Sequence, residues 1–266
     1  MRIRNILRAI KPAGKTLLIA IFWIGIWEAA SLIIGKEILL PSPIRVMERL
    51  GELILLPVFH KTVSLSLFRI LVGYLLGIIL GILFAILTFK SKIAASLLSP
   101  VFTVIKATPV ASIIILALVW IGKESVPSMT AALMVLPVIW VNVFAGLRGI
   151  SQDLKEVTQV YRFSIIQKIK ILYIPSVFPL FIANAKTALG LAWKAGVAAE
   201  VLCTPKFSIG SEIYSSKLYL ESVDLFTWTL TVIIMSLLLE FAIEKIADIL
   251  FRRKNGSQKL PQTLEV

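Results

Sequence analysis

Ionisable residues interrupt the apolar stretches of this chain at only a few places, among them Glu28, Arg69, Lys106, Lys186, Lys194 and Glu200. A charge in hydrocarbon costs at least about 2.5–3.5 kcal/mol, so such a residue normally faces a partner or a water-filled cavity. The chemistry available to the lysines is electrostatic, the holding of an anion. Lys186 and Lys194 are eight residues apart, about 80° around a helix, and can face one broad lumen. Glu200 follows roughly one and a half turns later. Together with Lys106 and Trp193 they form the candidate translocation path. The plainer alternative is that Lys186 snorkels or pairs with a carboxylate while Glu200 sits at the interface.

Other chemistries are excluded early. A single histidine, His60, and a single cysteine, Cys203, leave no His-pair metal site, no Cys-rich cluster and no intrachain disulfide. Gly14-Lys15-Thr16 mimics the end of a phosphate-binding loop, but Ala9 stands where its first glycine belongs and no strand precedes it. Neither H-E-x-x-H nor G-x-S-x-G occurs. No catalytic, cofactor or metal residue is expected in this chain.

The elements that must carry these residues are membrane helices. Of 266 residues, 58% are hydrophobic and only 16% charged, against about 45–50% and about 25% in soluble domains. A hydrocarbon core of about 30 Å needs roughly 20 helical residues. Six apolar runs meet that length, near 16–35, 62–89, 93–121, 125–147, 171–203 and 225–250. The expected fold is therefore an all-α bundle of six transmembrane helices. The expected organisation is an N-terminal segment 1–15, a transmembrane permease domain 16–251 and a tail 252–266. The basic N-terminus followed by an apolar run looks like a signal peptide, but no small-x-small site follows, and it reads as an uncleaved first span.

The net charge of +13 is a topology signal rather than a nucleic-acid footprint. With both termini in the cytoplasm, most of the basic residues fall on the inner side: Arg2, Arg4, Arg8, Lys11, Lys15, Lys90, Lys92, Arg148, Lys155, Arg162, Lys168, Lys170, Lys245, Arg252, Arg253, Lys254 and Lys259. The outer side holds Lys36, Arg45, Arg49, Lys61, Lys123, Lys206 and Lys217, matched by Glu37, Glu48, Glu52, Glu124, Glu212, Glu221 and Asp224.

Two rows of small residues point to close packing. Gly73, Gly77 and Gly81 recur every fourth residue in the second run, and Ala188, Ala192 and Gly196 do so in the fifth. The glycine row reads as packing within one chain before it reads as a dimer contact. Pro100, Pro109 and Pro137 are the expected sites of helix breaks or kinks.

The inner loop near 148–171 carries an amphipathic pattern. Ser151 or Asp153 can cap a helix with Glu156 in its early turns. Val157, Val160, Tyr161, Ile165, Ile166, Ile169 and Leu172 recur at three- and four-residue spacing. Lys155, Gln159, Arg162, Gln167, Lys168 and Lys170 fill the other face. Such an element either lies on anionic headgroups or docks a cytoplasmic partner.

Here the sequence resembles a family. Glu156-Val157-Thr158, then Arg162, then Ile171-Leu172-Tyr173-Ile174-Pro175 is similar to the EAA loop of ABC-importer permeases, with Arg162 at its glycine position. Leu40-Pro41-Ser42-Pro43 and the run from Ala188 to Glu200 resemble segments of the nitrate/sulfonate/taurine-type importers. The resemblance implies a non-catalytic permease subunit working by alternating access. It implies a cytoplasmic ATPase that carries the ATP, an extracytoplasmic solute-binding protein and a second permease copy in a homodimer. Asp153, Glu156, Val157, Val160, Arg162, Gln167 and Lys168 would face the ATPase. A plasma-membrane location follows, with nitrate, sulfonates, taurine or pyrimidine precursors as the solutes of the group, and the intramembrane lysines favour an anion. Glycine would permit a left-handed turn that arginine adopts at a cost. The turn therefore sits elsewhere, or the loop is one continuous helix. The competing reading is a stand-alone secondary transporter or channel, which would show matching broken helices in its two halves. No repeat relates residues 1–133 to 134–266.

Overall fold

The computed structural model describes residues 2–256, with side-chain packing described from Leu18 to Ile249. The expected tail 252–266 lies outside the described residues from position 257 onward. Among the described residues, eleven α-helices follow one another: α1 (Arg2–Ile34), α2 (Pro43–Ile54), α3 (Pro57–Lys90), α4 (Lys92–Ala107), α5 (Val110–Trp120), α6 (Val126–Arg148), α7 (Gln152–Val160), α8 (Ile165–Gln167), α9 (Ile174–Cys203), α10 (Ile209–Leu218) and α11 (Ser222–Gly256). A π-helical turn, Lys168–Tyr173, joins α8 to α9. The described residues contain no strand.

Among the described residues, four stretches are long and apolar enough to cross a membrane: Pro57–Lys90, Val126–Arg148, Ile165–Cys203 and Ser222–Ile249. Their outward residues are those of a lipid-facing surface, with Phe68 66%, Ile79 61% and Leu237 61% exposed. A soluble surface does not carry apolar area of that extent. The apolar part of α1, Leu18–Ile34, is shorter.

The expected single run 93–121 is instead two helices, α4 and α5, bent by 107°. Pro109 supplies no N–H and excludes the helical region for Thr108, which is extended at φ −77°, ψ 130°. Pro100 and Pro137 sit inside their helices without ending them. The second run starts five residues earlier than expected, so Lys61 belongs to α3 rather than to a loop.

The chain divides into two compact units. The first comprises residues 1–62 and 212–231. Here Leu40-Pro41-Ser42-Pro43 has a physical reading: Ser42 caps α2 by accepting from the Arg45 N–H, and Pro43 takes the first turn, where no N–H is needed. The Pro41 carbonyl accepts from Trp27 Nε1 at 3.0 Å. Val46, Leu50 and Leu53 form the buried stripe of α2. Phe59 stacks on Trp228 with centroids 5.2 Å apart. Arg49 holds Asp224 through two hydrogen bonds, Nε to Oδ1 at 2.6 Å and Nη2 to Oδ2 at 2.9 Å.

The second unit comprises residues 63–211 and those from 232 onward. The glycine row of α3 lies against α6. A Cβ on Gly73 would fall 2.1 Å from the Ser128 carbonyl oxygen, one on Gly77 2.7 Å from that of Ala132, and one on Gly81 2.8 Å from Ile139 Cβ. Gly196 makes the same room for Ile70, at 2.5 Å. Polar side chains fasten the helices: Tyr74 Oη donates to the Ala185 carbonyl at 3.0 Å, and Trp140 Nε1 to Thr88 Oγ1 at 3.1 Å. Ile114, Ala117, Val126, Ala199 and Cys203 close the core between α5, α6 and α9.

Candidate functional site

The loop between α6 and α9 is built by caps. Ser151 is the N-cap of α7, its hydroxyl accepting from the Leu154 N–H, and Asp153 lies in the first turn, favourable to the helix dipole. Ser164 and Gln167 form a reciprocal capping box that starts α8. Between them the chain turns at Arg162, whose φ is +49°. The Phe163 N–H donates to the Thr158 carbonyl at 2.9 Å and the Arg162 N–H to the Gln159 carbonyl at 3.0 Å. That bond pair is a Schellman ending, which normally places glycine where Arg162 stands. The loop is therefore not one continuous helix, and the turn has not moved elsewhere: arginine takes the left-handed conformation at about 1–2 kcal/mol.

Most apolar positions of the loop pack little on the chain itself. Val160 is 77% exposed, Tyr161 72% and Ile165 67%, while Thr158 and Leu172 are the buried contacts. Val157, Glu156, Gln167 and Lys168 stand near the same surface, with Glu156 accepting from the Gln152 amide at 3.3 Å. An exposed apolar stripe flanked by caps and charges is what a docking element looks like without its partner.

The candidate path residues separate into two kinds. Trp193 is 1% exposed and donates from Nε1 to the Val232 carbonyl at 3.0 Å. Glu200 is fully buried. Both are therefore packed inside the second unit rather than open to a lumen. Lys106 and Lys194 are exposed, without an ion pair among the described residues. Lys186 pairs with Glu244, so its charge is compensated. Ala192 is buried beside Gly196 on α9.

Glu200 belongs to a polar knot that the sequence reading missed. Its Oε2 accepts from Ser66 Oγ at 2.8 Å and from the Gly210 N–H at 3.3 Å. The Ile209 N–H donates to Ser66 Oγ at 2.9 Å. Arg69 lies 3.8 Å from Glu200 Oε1 and donates to Glu124 Oε2 at 2.7 Å and to the Lys206 and Phe207 carbonyls at 2.8 and 3.2 Å. A Cβ on Gly210 would sit 2.3 Å from Glu200 Cβ. The available signal was Arg69 within an apolar run and Glu200 near the end of another, a pair of opposite charges too far apart in sequence to be joined by spacing. The described residues contain no group of His, Cys, Asp and Glu able to hold a metal ion.

A multi-pass helical membrane protein with a capped, apolar-faced loop between α6 and α9 is what the fold and the site define. Residues 77–256 match the family of binding-protein-dependent transport system inner membrane components, and the chain belongs to that family. Among curated relatives, it is 28% identical over 190 residues to the aliphatic sulfonates transport permease protein SsuC assigned in Bacillus subtilis (strain 168), covering 71% of this chain and 69% of that one. It is 30% identical over 195 residues to the nitrate import permease protein NrtB of Synechococcus elongatus, covering 68% of each. The protein is thus an ABC-importer permease of the nitrate/sulfonate type. The fold also matches a chain of the MetNI methionine ABC transporter in inward-facing conformations, with a TM-score of 0.55 at 16% identity over 71% of this chain and 92% of that one.

Proposed function

We propose that the chain is the transmembrane subunit of an importer that moves a small anion by alternating access, with ATP bound and hydrolysed on a separate cytoplasmic subunit. The observation that carries this reading is the inner loop: a capped helix ended by a left-handed Arg162, with Val160, Tyr161 and Ile165 presented outward. Asp153, Glu156, Val157, Val160, Arg162, Gln167 and Lys168 form the face offered to the ATPase, within the loop 148–171. In this reading, Leu18–Ile34, the four long helices and the bent α4–α5 pair provide six crossings of the plasma membrane. Both termini, 1–15 and 252–266, are cytoplasmic, as the distribution of basic residues favours.

The exposed Lys106 and Lys194 are the path residues retained, facing a second permease copy across the solute route. An extracytoplasmic binding protein delivers the solute. The sulfonate and nitrate relatives support an oxyanion as cargo, and lysine charge in a low-dielectric passage suits one.

The test is purification from native membranes in mild detergent, with mass spectrometry of everything that accompanies the chain. One ATPase subunit per permease, together with a solute-binding protein, is the expected result. A chain that emerges alone and still moves nitrate or an alkanesulfonate into liposomes without ATP would replace this reading with a gradient-driven transporter.

A further inference from the structure

We propose that the cleft behind the inner loop binds an acyl chain of an anionic phospholipid from the cytoplasmic leaflet, with the headgroup held at Lys90. The cleft has a volume of about 550 Å³, within the range of specific ligand sites. Its walls are apolar and come from five elements: Ile86 and Phe89 of α3, Leu147 of α6, Ile165 of α8, Ile169 and Tyr173 of the π turn, and Phe181 of α9. Lys90 is the one charged residue of the lining.

Three observations select a lipid with a negative headgroup. Lys90 ends α3 and Arg148 ends α6, so the cleft opens where spans meet the interface rather than at mid-membrane. Lys92 begins α4, and Lys168 and Lys170 lie on the π turn that forms one wall. None of Lys90, Lys92, Lys168 and Lys170 forms an ion pair among the described residues. An apolar slot beneath uncompensated lysines is complementary to an acyl chain beneath a phosphate, and the cytoplasmic leaflet carries the anionic lipids. Because Ile165 and Ile169 of the loop belong to the same wall, an occupied cleft braces the element offered to the ATPase.

The proposal rests on the cytoplasmic placement of the loop, so the experiment reads both. The intact transporter complex is reconstituted in nanodiscs of phosphatidylglycerol or of phosphatidylcholine, released, and examined by native mass spectrometry. Retention of phosphatidylglycerol over phosphatidylcholine is expected. Lys90→Gln should weaken that retention about fivefold, the effect of one surface lysine on an anionic lipid. Ile86→Trp, which narrows the slot, should weaken it as well.

Equal retention in all three proteins, or no preference for phosphatidylglycerol, overturns the site. A benzophenone maleimide on Ile86→Cys that cross-links to polypeptide shows a protein segment in the cleft and also overturns it. Lys92→Cys is labelled in parallel with an impermeant maleimide. Protection in intact cells together with a negative lipid result removes the lipid site and leaves the topology standing. Labelling from outside overturns the topology, and with it the leaflet assigned here.

Discussion

Arg162 occupies a turn that glycine would enter without strain, and its left-handed φ of +49° is maintained by the two carbonyl contacts to Thr158 and Gln159. Arg162→Gly should therefore relieve about 1 kcal/mol of strain and leave solute-stimulated ATP turnover of the reconstituted complex within about twofold. Arg162→Val places a β-branched residue at positive φ, a true outlier, and turnover should fall about fivefold or more as the loop loses its bend. If the valine variant matched the wild type, the turn would have no part in coupling. Lys194 makes a different case. It is exposed beside the buried Trp193, so Lys194→Met removes charge without opening the core. Losing a charge-assisted contact of about 1.5–3 kcal/mol should raise the KM for nitrate or an alkanesulfonate about tenfold or more at equal membrane abundance. An unchanged KM would return Lys194 to a structural role.

At the scale of elements, the four long apolar helices were legible because hydrocarbon thickness imposes a length that few apolar runs meet by accident. The four-residue glycine spacing showed that α3 approaches something closely, but only the fold gives α6 as that element. Gly73→Ala would put a Cβ 2.1 Å from the Ser128 carbonyl oxygen, and backbone cannot yield there. The expected cost is about 1–3 kcal/mol, read as a lower unfolding temperature in detergent, whereas Gly25→Ala, with open space around it, should be silent. The bend at Thr108–Pro109 was half legible: the proline was visible, its 107° consequence was not. The Ser66–Arg69–Glu124–Glu200–Gly210 knot was invisible because it joins residues up to 143 apart through a single hydroxyl.

Glu212, near the start of α10, adds a pH dependence at this scale. Burial, and then the Asp224 carboxylate, push its pKa up. The folded state thus holds a proton more tightly than the unfolded one, and stability falls as pH rises from the ordinary carboxylate range through the raised value. Glu212→Gln should flatten that decline in unfolding temperature measured from mildly acidic to neutral pH. An undiminished decline would place its cause in other groups.

For the whole molecule, crossing the membrane and transmitting a stroke are separable tasks if the loop between α6 and α9 is the docking element proposed above, because its outward face scarcely packs on its own chain. Thr158 is its buried contact on α7, while Val160 and Tyr161 stand out by 77% and 72%. Changes on the outward face should therefore spare insertion and damage coupling, and changes at the buried contact should do the reverse. Glu156→Ala and Val160→Pro are expected to reach wild-type abundance in the membrane and to lower solute-stimulated ATP turnover about thirtyfold, the weight of one interface hot spot of about 2 kcal/mol. Thr158→Arg forces a charge into a closed contact and should reduce abundance first. The comparison needs the complete complex in liposomes, with basal and stimulated turnover measured separately, since only the stimulated rate passes through the permease. If both outward variants keep full stimulation, the drive reaches this chain through some other surface, and the exposed apolar stripe is a membrane-lying face instead.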